Sequence, residues 1–306
     1  MHRRTLLALA LATPALANAQ AAPPVSVVAS FSILGDMVRQ IGGDQIAVHV
    51  IAGPDVDAHA FQPRPSDAQA LRGAALAVRN GLGFDAWMDR LLQAAGATTT
   101  VTATEGISPR RPSGGEGHDH GHGRAHGADA ADPHAWQDLR RGAAYVRNIA
   151  AALQAADPAR AEDYRRRAEA YLRRLDELDA WVRRQVGTVP EARRKVVTSH
   201  DAFGYFGEAY GVRFLAPQGV STDSEPSAAE VARLIRTLKR EGITAVFLEN
   251  MASPATLRRL AAEADVKVRG RLYADALSPA DGPAPTYEAM FRHNVGLLVP
   301  AMRAEG

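Results

Sequence analysis

Residues 159–186 carry one unbroken apolar stripe. Tyr164, Ala168, Tyr171, Leu175, Leu178, Val182 and Val186 step by 4, 3, 4, 3, 4 and 4, with Arg and Glu filling the positions between. That is the spacing of a single helical face. A helix of that extent is about 40 Å long at roughly 1.5 Å per residue, enough to run the length of a two-domain protein and tie its halves together. Asp157-Pro158 ends the helix expected before it, from about Asp138 to Ala156, and starts this one.

On both sides of the stripe, β-rich runs alternate with helical ones. Val25 to Ala29 reads as a strand, followed by helical spacing of Phe31, Ile33, Leu34, Met37, Val38 and Ile41. Ile46 to Ile51 is a second strand, Ser66-Asp67 caps a helix to about Leu71, and Ala75 to Val78 is a third strand. Beyond Pro190 the strands are Lys195 to Thr198, Val212 to Leu215, Thr244 to Leu248 and Val266 to Val268, with a closing helix from about Thr286 to Met302. Ser227 and Glu230 form a capping box. This rhythm predicts an α/β protein built of βα units with mostly parallel sheets. The expected division is a lobe over 24–156, a connecting helix over 157–188 and a second lobe over 193–306.

The chain opens with a basic His2-Arg3-Arg4, a Leu/Ala-rich run from Leu6 to Leu16, and a small-residue cleavage site at Ala17-Asn18-Ala19. Residues 1–19 therefore read as a secretory signal peptide, with an apolar run too short to span a bilayer. Removing it leaves 34 basic and 34 acidic side chains, a balance that excludes a phosphate-binding surface and hence nucleic acid as a partner. Cysteine is absent, so no thiolate zinc site, cysteine nucleophile or disulfide framework is available. With no cysteine at the cleavage point to accept lipid, the expected product is periplasmic, soluble and not lipid-anchored. Residues 106–133 are rich in Gly, Pro, Ser, Asp and His without apolar period, and read as a mobile loop.

Nine histidines remain in the mature chain. His118, His120, His122 and His126 lie together in that loop, as a low-affinity metal trap or a solvated tract, the first being favoured. His59, His134 and His200 stand where a strand or turn ends, and Asp275 holds a comparable place after the Val266 strand. In βα folds those ends form the ligand crevice. The four are separated by 75, 66 and 75 residues, two in each half. Should they converge, three imidazoles and a carboxylate make a four-coordinate site suited to Zn²⁺, whereas harder ions such as Mn²⁺ favour more oxygen. The same groups could instead serve a periplasmic zinc hydrolase with Asp275 as base, although no HExxH or nucleophile-elbow motif supports it. Asp55 and Asp57 are expected in turn-forming, solvated roles, and His49 and His293 as packing or surface residues. Glu249 and Asn250 end a strand and are candidates to orient a ligand.

Six stretches in order carry a resemblance over essentially the whole mature chain: SFSILGDMV (30–38), GPDVDAHAFQPRPSD (53–67), DPHAW (132–136), TSHDAFGYF (198–206), FLENMASP (247–254) and YADALS (273–278). They resemble the cluster A-I solute-binding proteins, the periplasmic metal receptors of zinc and manganese ABC importers, and among these the AztC- and ZnuA-like zinc receptors. The resemblance implies two (β/α) lobes joined by a rigid long helix, with metal buried between them. It makes His59, His134, His200 and Asp275 the four ligands; in manganese-type relatives the third place is a carboxylate. It further implies Zn²⁺ as cargo, not an enzyme, an inner-membrane ABC permease as partner, a periplasmic zinc metallochaperone as a second candidate partner, and a monomer. The chain departs from the family pattern in lacking the disulfide of some zinc relatives and in the brevity of its His-rich loop.

Overall fold

A computed structural model describes residues 23–96, 98–111, 131–223, 225–251 and 253–304. The expected leader peptide and the histidines His118, His120, His122 and His126 lie outside the described residues. Among those described, no helix is long and apolar enough to cross a membrane.

The first half builds a four-stranded sheet from β1 (Val25–Phe31), β2 (Ile46–Ala52), β3 (Leu76–Arg79) and β4 (Thr100–Thr102), in the order β2-β1-β3-β4 and parallel throughout. Three helices connect them: α1 (Ser32–Gly42), α2 (Pro65–Arg72) and α3 (Trp87–Ala95). The second half repeats the plan. β5 (Lys195–Val197), β6 (Arg213–Leu215), β7 (Val246–Glu249) and β8 (Val268–Leu272) stand in the order β6-β5-β7-β8, again parallel. Their connectors are α6 (Gly204–Tyr210), α7 (Ala228–Glu241) and α8 (Pro254–Ala264), and α9 (Tyr287–Arg303) closes the chain. In both sheets the strand order reverses beside the first strand, which opens a crevice at the strands' carboxyl ends.

Between the halves run α4 (Leu139–Ala156) and α5 (Ala161–Gly187). Every residue of the stripe from Tyr164 to Val186 is buried. α5 packs against α1 and α4 and also against α6 and α9, so one apolar cluster runs from the first sheet into the second. Asp157 ends α4 and Pro158 opens the single turn that leads into α5.

Some boundaries differ from the sequence reading. The strand expected at Val266–Val268 begins at Val268, because Asp265 adopts φ 57° as the cap of α8 and the Val266 amide still donates to Ala261. α2 begins at Pro65, and Asp67 reaches back to accept from the Arg64 amide. β4 and α6 are too short to stand out in sequence, whereas α3 and α8 were missed by the sequence reading although Leu257, Leu260, Ala261 and Ala264 stand at helical spacing in α8.

The packing between α4 and α9 is close at Gly142, where a Cβ would lie 2.3 Å from the Tyr287 hydroxyl oxygen. Tyr287 is fully buried and its hydroxyl donates to the Trp136 carbonyl. Gly142→Ala gains about 1 kcal/mol of helix propensity but must push a locked ring aside. The net expectation is a loss of about 1–2 kcal/mol, read as a lower denaturant midpoint at unchanged slope.

Candidate metal centre

His59, His134, His200 and Asp275 meet where the two halves face each other. Each can offer one nitrogen or oxygen such that all four atoms lie within 4.8 Å of one another. His59 comes from the loop after β2, His134 from the turn before α4, His200 from just beyond β5, and Asp275 from just beyond β8. His200 and Asp275 follow strand ends directly and His59 lies farther along the loop that leaves β2, so the parallel sheets deliver all three to their carboxyl edge.

The Nε2 atoms of His59 and His134 are 3.2 Å apart. Asp275 Oδ2 lies 3.3 Å from His59 Nε2 and 3.0 Å from His200 Nε2, and Asp275 Oδ1 is 3.4 Å from His134 Nε2. All four side chains are buried. The separations are those of ion pairs, yet both Asp275 oxygens and His200 Nε2 lack a hydrogen-bond partner. Buried polar atoms left this way are costly unless something else satisfies them. Phe84 stands edge-on to His59 with centroids 4.6 Å apart, and Trp136 to His134 at 5.2 Å, so hydrocarbon walls part of the cluster.

Two of the three imidazoles are held from behind by a carboxylate. Asp132 Oδ1 takes the His134 Nδ1 contact at 2.8 Å and accepts from the His134 amide at 3.0 Å. Pro133, between them, is fixed by the Asn80 amide, which donates to its carbonyl at 3.1 Å while accepting from the Tyr145 hydroxyl. His200 Nδ1 meets Glu249 Oε2, and Glu249 Oε1 accepts from the amides of Ser199 and His200. His59 is positioned through its backbone: its amide donates to Asp57 Oδ1 at 2.9 Å. Asp275 is stitched to the His134 turn, because the Ala274 carbonyl accepts from the Trp136 indole at 2.9 Å and the Gln137 side chain at 2.8 Å.

Glu249 thus orients a site residue as its strand-end position suggests, whereas Asn250 does not touch one. Asn250 donates to Asp55 and to the Ala276 carbonyl. Asp55 is exposed in a turn, as expected, and also accepts from Asn250. Asp57 forms the expected turn to the His59 amide but is only partly exposed, because its other oxygen accepts from Thr222 at 2.7 Å, so both also link the two halves. His49 is exposed, and His293 pairs with the Arg271 carbonyl, both away from the cluster. Asp132 was missed by the sequence reading. Its signal is the repeated Asp-x-His of Asp57-Ala58-His59 and Asp132-Pro133-His134, in which the carboxylate captures the amide two residues on.

Electrostatics follows from this crowding. Burial disfavours the charged form of His134, but Asp275 and Asp132 outweigh it and hold its pKa up, to about 9. His200 is buried too, and Glu249 and Asp275 raise it well above the ordinary range. Burial would lift Asp275, yet His134 and His200 drive it well below the usual carboxylate value. The titration expected near ~6.5 from free histidine therefore moves upward. With no cation bound, the His134 proton stabilises the fold fully below its unfolded value of about 6.5, and that contribution is lost as pH rises through about 9. Metal-stripped protein should therefore lose melting temperature across this window, and saturating dication, which replaces the proton, should flatten the loss. Thermal melts with and without metal check this.

A family model described as ZnuA, zinc-uptake complex component A, periplasmic, matches residues 27–301. Manganese-binding lipoprotein MntA of Halalkalibacterium halodurans is 33% identical over 280 residues, covering 91% of this chain and 88% of its own. Iron-binding protein YfeA of Yersinia pestis is 30% identical over 291 residues, covering 94% and 90%. The solved structure of the periplasmic zinc binding protein TroA from Treponema pallidum matches with a TM-score of 0.84 at 29% identity, covering 92% of this chain and 100% of that one.

These names correct the expectation of a periplasmic protein without a lipid anchor, since several relatives, MntA among them, are named as lipoproteins. That expectation rested on one linkage, a cysteine thiol at the cleavage point. The lack of that thiol speaks to that linkage alone, not to attachment at a membrane.

Proposed function

The chain belongs to the ZnuA family of periplasmic metal-uptake components, and from that premise we propose that it binds Zn²⁺ through His59, His134, His200 and Asp275 and passes it to a membrane permease. Family members are the receptors of ABC metal importers; the chain is a periplasmic metal-binding receptor of that kind. The observation that carries the ligand set is the trio of buried, unpartnered atoms, both Asp275 oxygens and His200 Nε2, facing two further imidazole nitrogens. A dication satisfies all of them at once.

Zinc is favoured by the donors and their spacing. Bonds of about 2.0–2.2 Å in a tetrahedron give donor separations of about 3.3–3.6 Å. The His59–His134 contact and the three contacts of Asp275 run from 3.0 to 3.4 Å, and all four donors lie within 4.8 Å of one another, so closing onto one ion needs an adjustment of about 1 Å or less. Three neutral imidazoles with one carboxylate suit a borderline-soft ion. Mn²⁺ is the second reading, and Asp275 is the reason: both its oxygens face the cluster, so a bidentate carboxylate could supply the extra oxygen a harder ion prefers. Both Asp275 oxygens stand among the imidazole nitrogens, 3.0–3.4 Å from them, which favours a ligand's role for Asp275 over that of a hydrolytic base.

We take 24–156 and 193–306 as the lobes and 157–188 as the helix between them, in a monomer. His118, His120, His122 and His126 serve as a collecting arm, with a periplasmic metallochaperone as another source of ion. Removing the arm should slow zinc loading without weakening equilibrium binding, as stopped-flow mixing with a chromophoric chelator would register; equal loading rates would remove it from the pathway.

Competition titration on metal-stripped protein tests the cargo. Zn²⁺ should outcompete Mn²⁺, and tighter manganese would select the second reading. His200→Ala should lose more than the roughly 10–100-fold that removing an outer support typically costs. It should also lose more than any loop-histidine substitution; the reverse ranking would move the principal site into the loop.

A further inference from the structure

Arg110 has no place in the ligand set, yet its side chain is only 10% exposed and is committed to the back of the cluster. Its Nη1 donates to Asp132 Oδ2 at 2.9 Å. Asp132 presents its other oxygen to His134, to the ring at 2.8 Å and the amide at 3.0 Å. The backbone closes around the same pair. The Asp132 amide donates to the Arg110 carbonyl, the Arg110 amide donates to the Tyr205 hydroxyl, and that hydroxyl donates to the Asp132 carbonyl, each at 2.8 Å.

Arg110 belongs to the first half, whereas Tyr205 and Glu208, which it also engages, belong to the second. Nε donates to Glu208 Oε1 at 2.8 Å, and Tyr205 and Glu208 lie on α6, whose first residue, Gly204, comes four residues after His200. A Cβ on Gly204 would stand 2.1 Å from Arg110 Nη1 and 2.4 Å from Cζ. Gly204 does not have the left-handed φ that would itself demand glycine. The missing side chain there makes room for the guanidinium.

Resting on the reading of His134 as a ligand, we infer that Arg110 is a positioning residue of the metal centre. Its planar fork fixes the Asp132 carboxylate against α6, which holds the His134 ring in its ligating orientation and sets how tightly the dication is kept. Arginine suits the task because a rigid fork can engage two carboxylates at defined angles, whereas a lysine ammonium cannot. An unrestrained Asp132 could rotate away from His134 Nδ1, and supports of this kind govern metal affinity.

The experiment measures Zn²⁺ affinity by chelator competition, the visible spectrum of the Co²⁺-loaded protein, and metal-free melting for Arg110→Gln, Arg110→Lys, Gly204→Ala, Asp132→Asn and the Arg110→Gln/Asp132→Asn double variant. Arg110→Gln and Gly204→Ala should each weaken Zn²⁺ about 10–100-fold and shift the Co²⁺ bands, with Arg110→Lys recovering part of the loss. On the Asp132→Asn background, Arg110→Gln should add no more than about twofold, because the two act through one contact. Gly204→Ala displaces a flexible side-chain end without removing charge, so it carries the test should Arg110→Gln fail to fold. Affinities within about twofold of the parent in Arg110→Lys and Gly204→Ala, or a full additive loss in the double variant, overturn the inference. A parent protein that binds neither Zn²⁺ nor Mn²⁺ tightly sinks the cargo reading on which this inference rests; a tight-binding parent with unaffected variants sinks only the role of Arg110.

Discussion

A carboxylate buried beside three imidazoles, with neither of its oxygens accepting a hydrogen bond, is the constraint around which this molecule is arranged. Asp275 cannot remain charged there without a positive neighbour. Asp132 and Glu249 stand just behind, each against an imidazole, so three carboxyl groups crowd one apolar-walled space. Protons on the histidines meet part of that demand. A dication meets it more completely, because it supplies two charges and occupies every unpaired donor atom together. With the ligand set proposed above, proton and metal would compete for the same nitrogens, which ties metal affinity to the protonation of His134 and His200.

The fold can gather these residues because both halves use one strand order. In each, the chain leaves the central strand, adds a neighbour on one side, then returns to the other side. The carboxyl ends of two parallel sheets consequently confront each other, and loops that are distant in sequence become adjacent. α5 fixes their separation by packing on helices from both sheets. The aromatic rings of Phe31, Phe84 and Trp136 pack on one another and form a firm wall behind His59 and His134.

Much of this was visible in the residue pattern. The α5 stripe has a period too regular to read otherwise, and all seven of its apolar residues are buried. The Ser227 capping box and the Asp157-Pro158 break rest on local chemistry and appear as expected. The four clustered residues were found through strand-end placement and family resemblance, not through spacing, since intervals of 75, 66 and 75 residues encode no local geometry. What stayed hidden depends on the folded arrangement. Whether Asp57 faces water or Thr222 is decided by how the halves meet. Likewise, Arg110 and Asp132 are 22 residues apart, with the contact between them unseen until the chain closes.

Trp136 and Gln137 both donate to the carbonyl that immediately precedes Asp275. Those donors follow His134 within three residues, so the second and fourth members of the quartet are sewn into one rigid piece by neutral hydrogen bonds that involve no ion. The entropy of bringing two distant segments together is thus spent during folding. On the proposed ligand set, an arriving ion would meet a socket whose second and fourth members are already joined, with His59 and His200 supplied to it by separate loops.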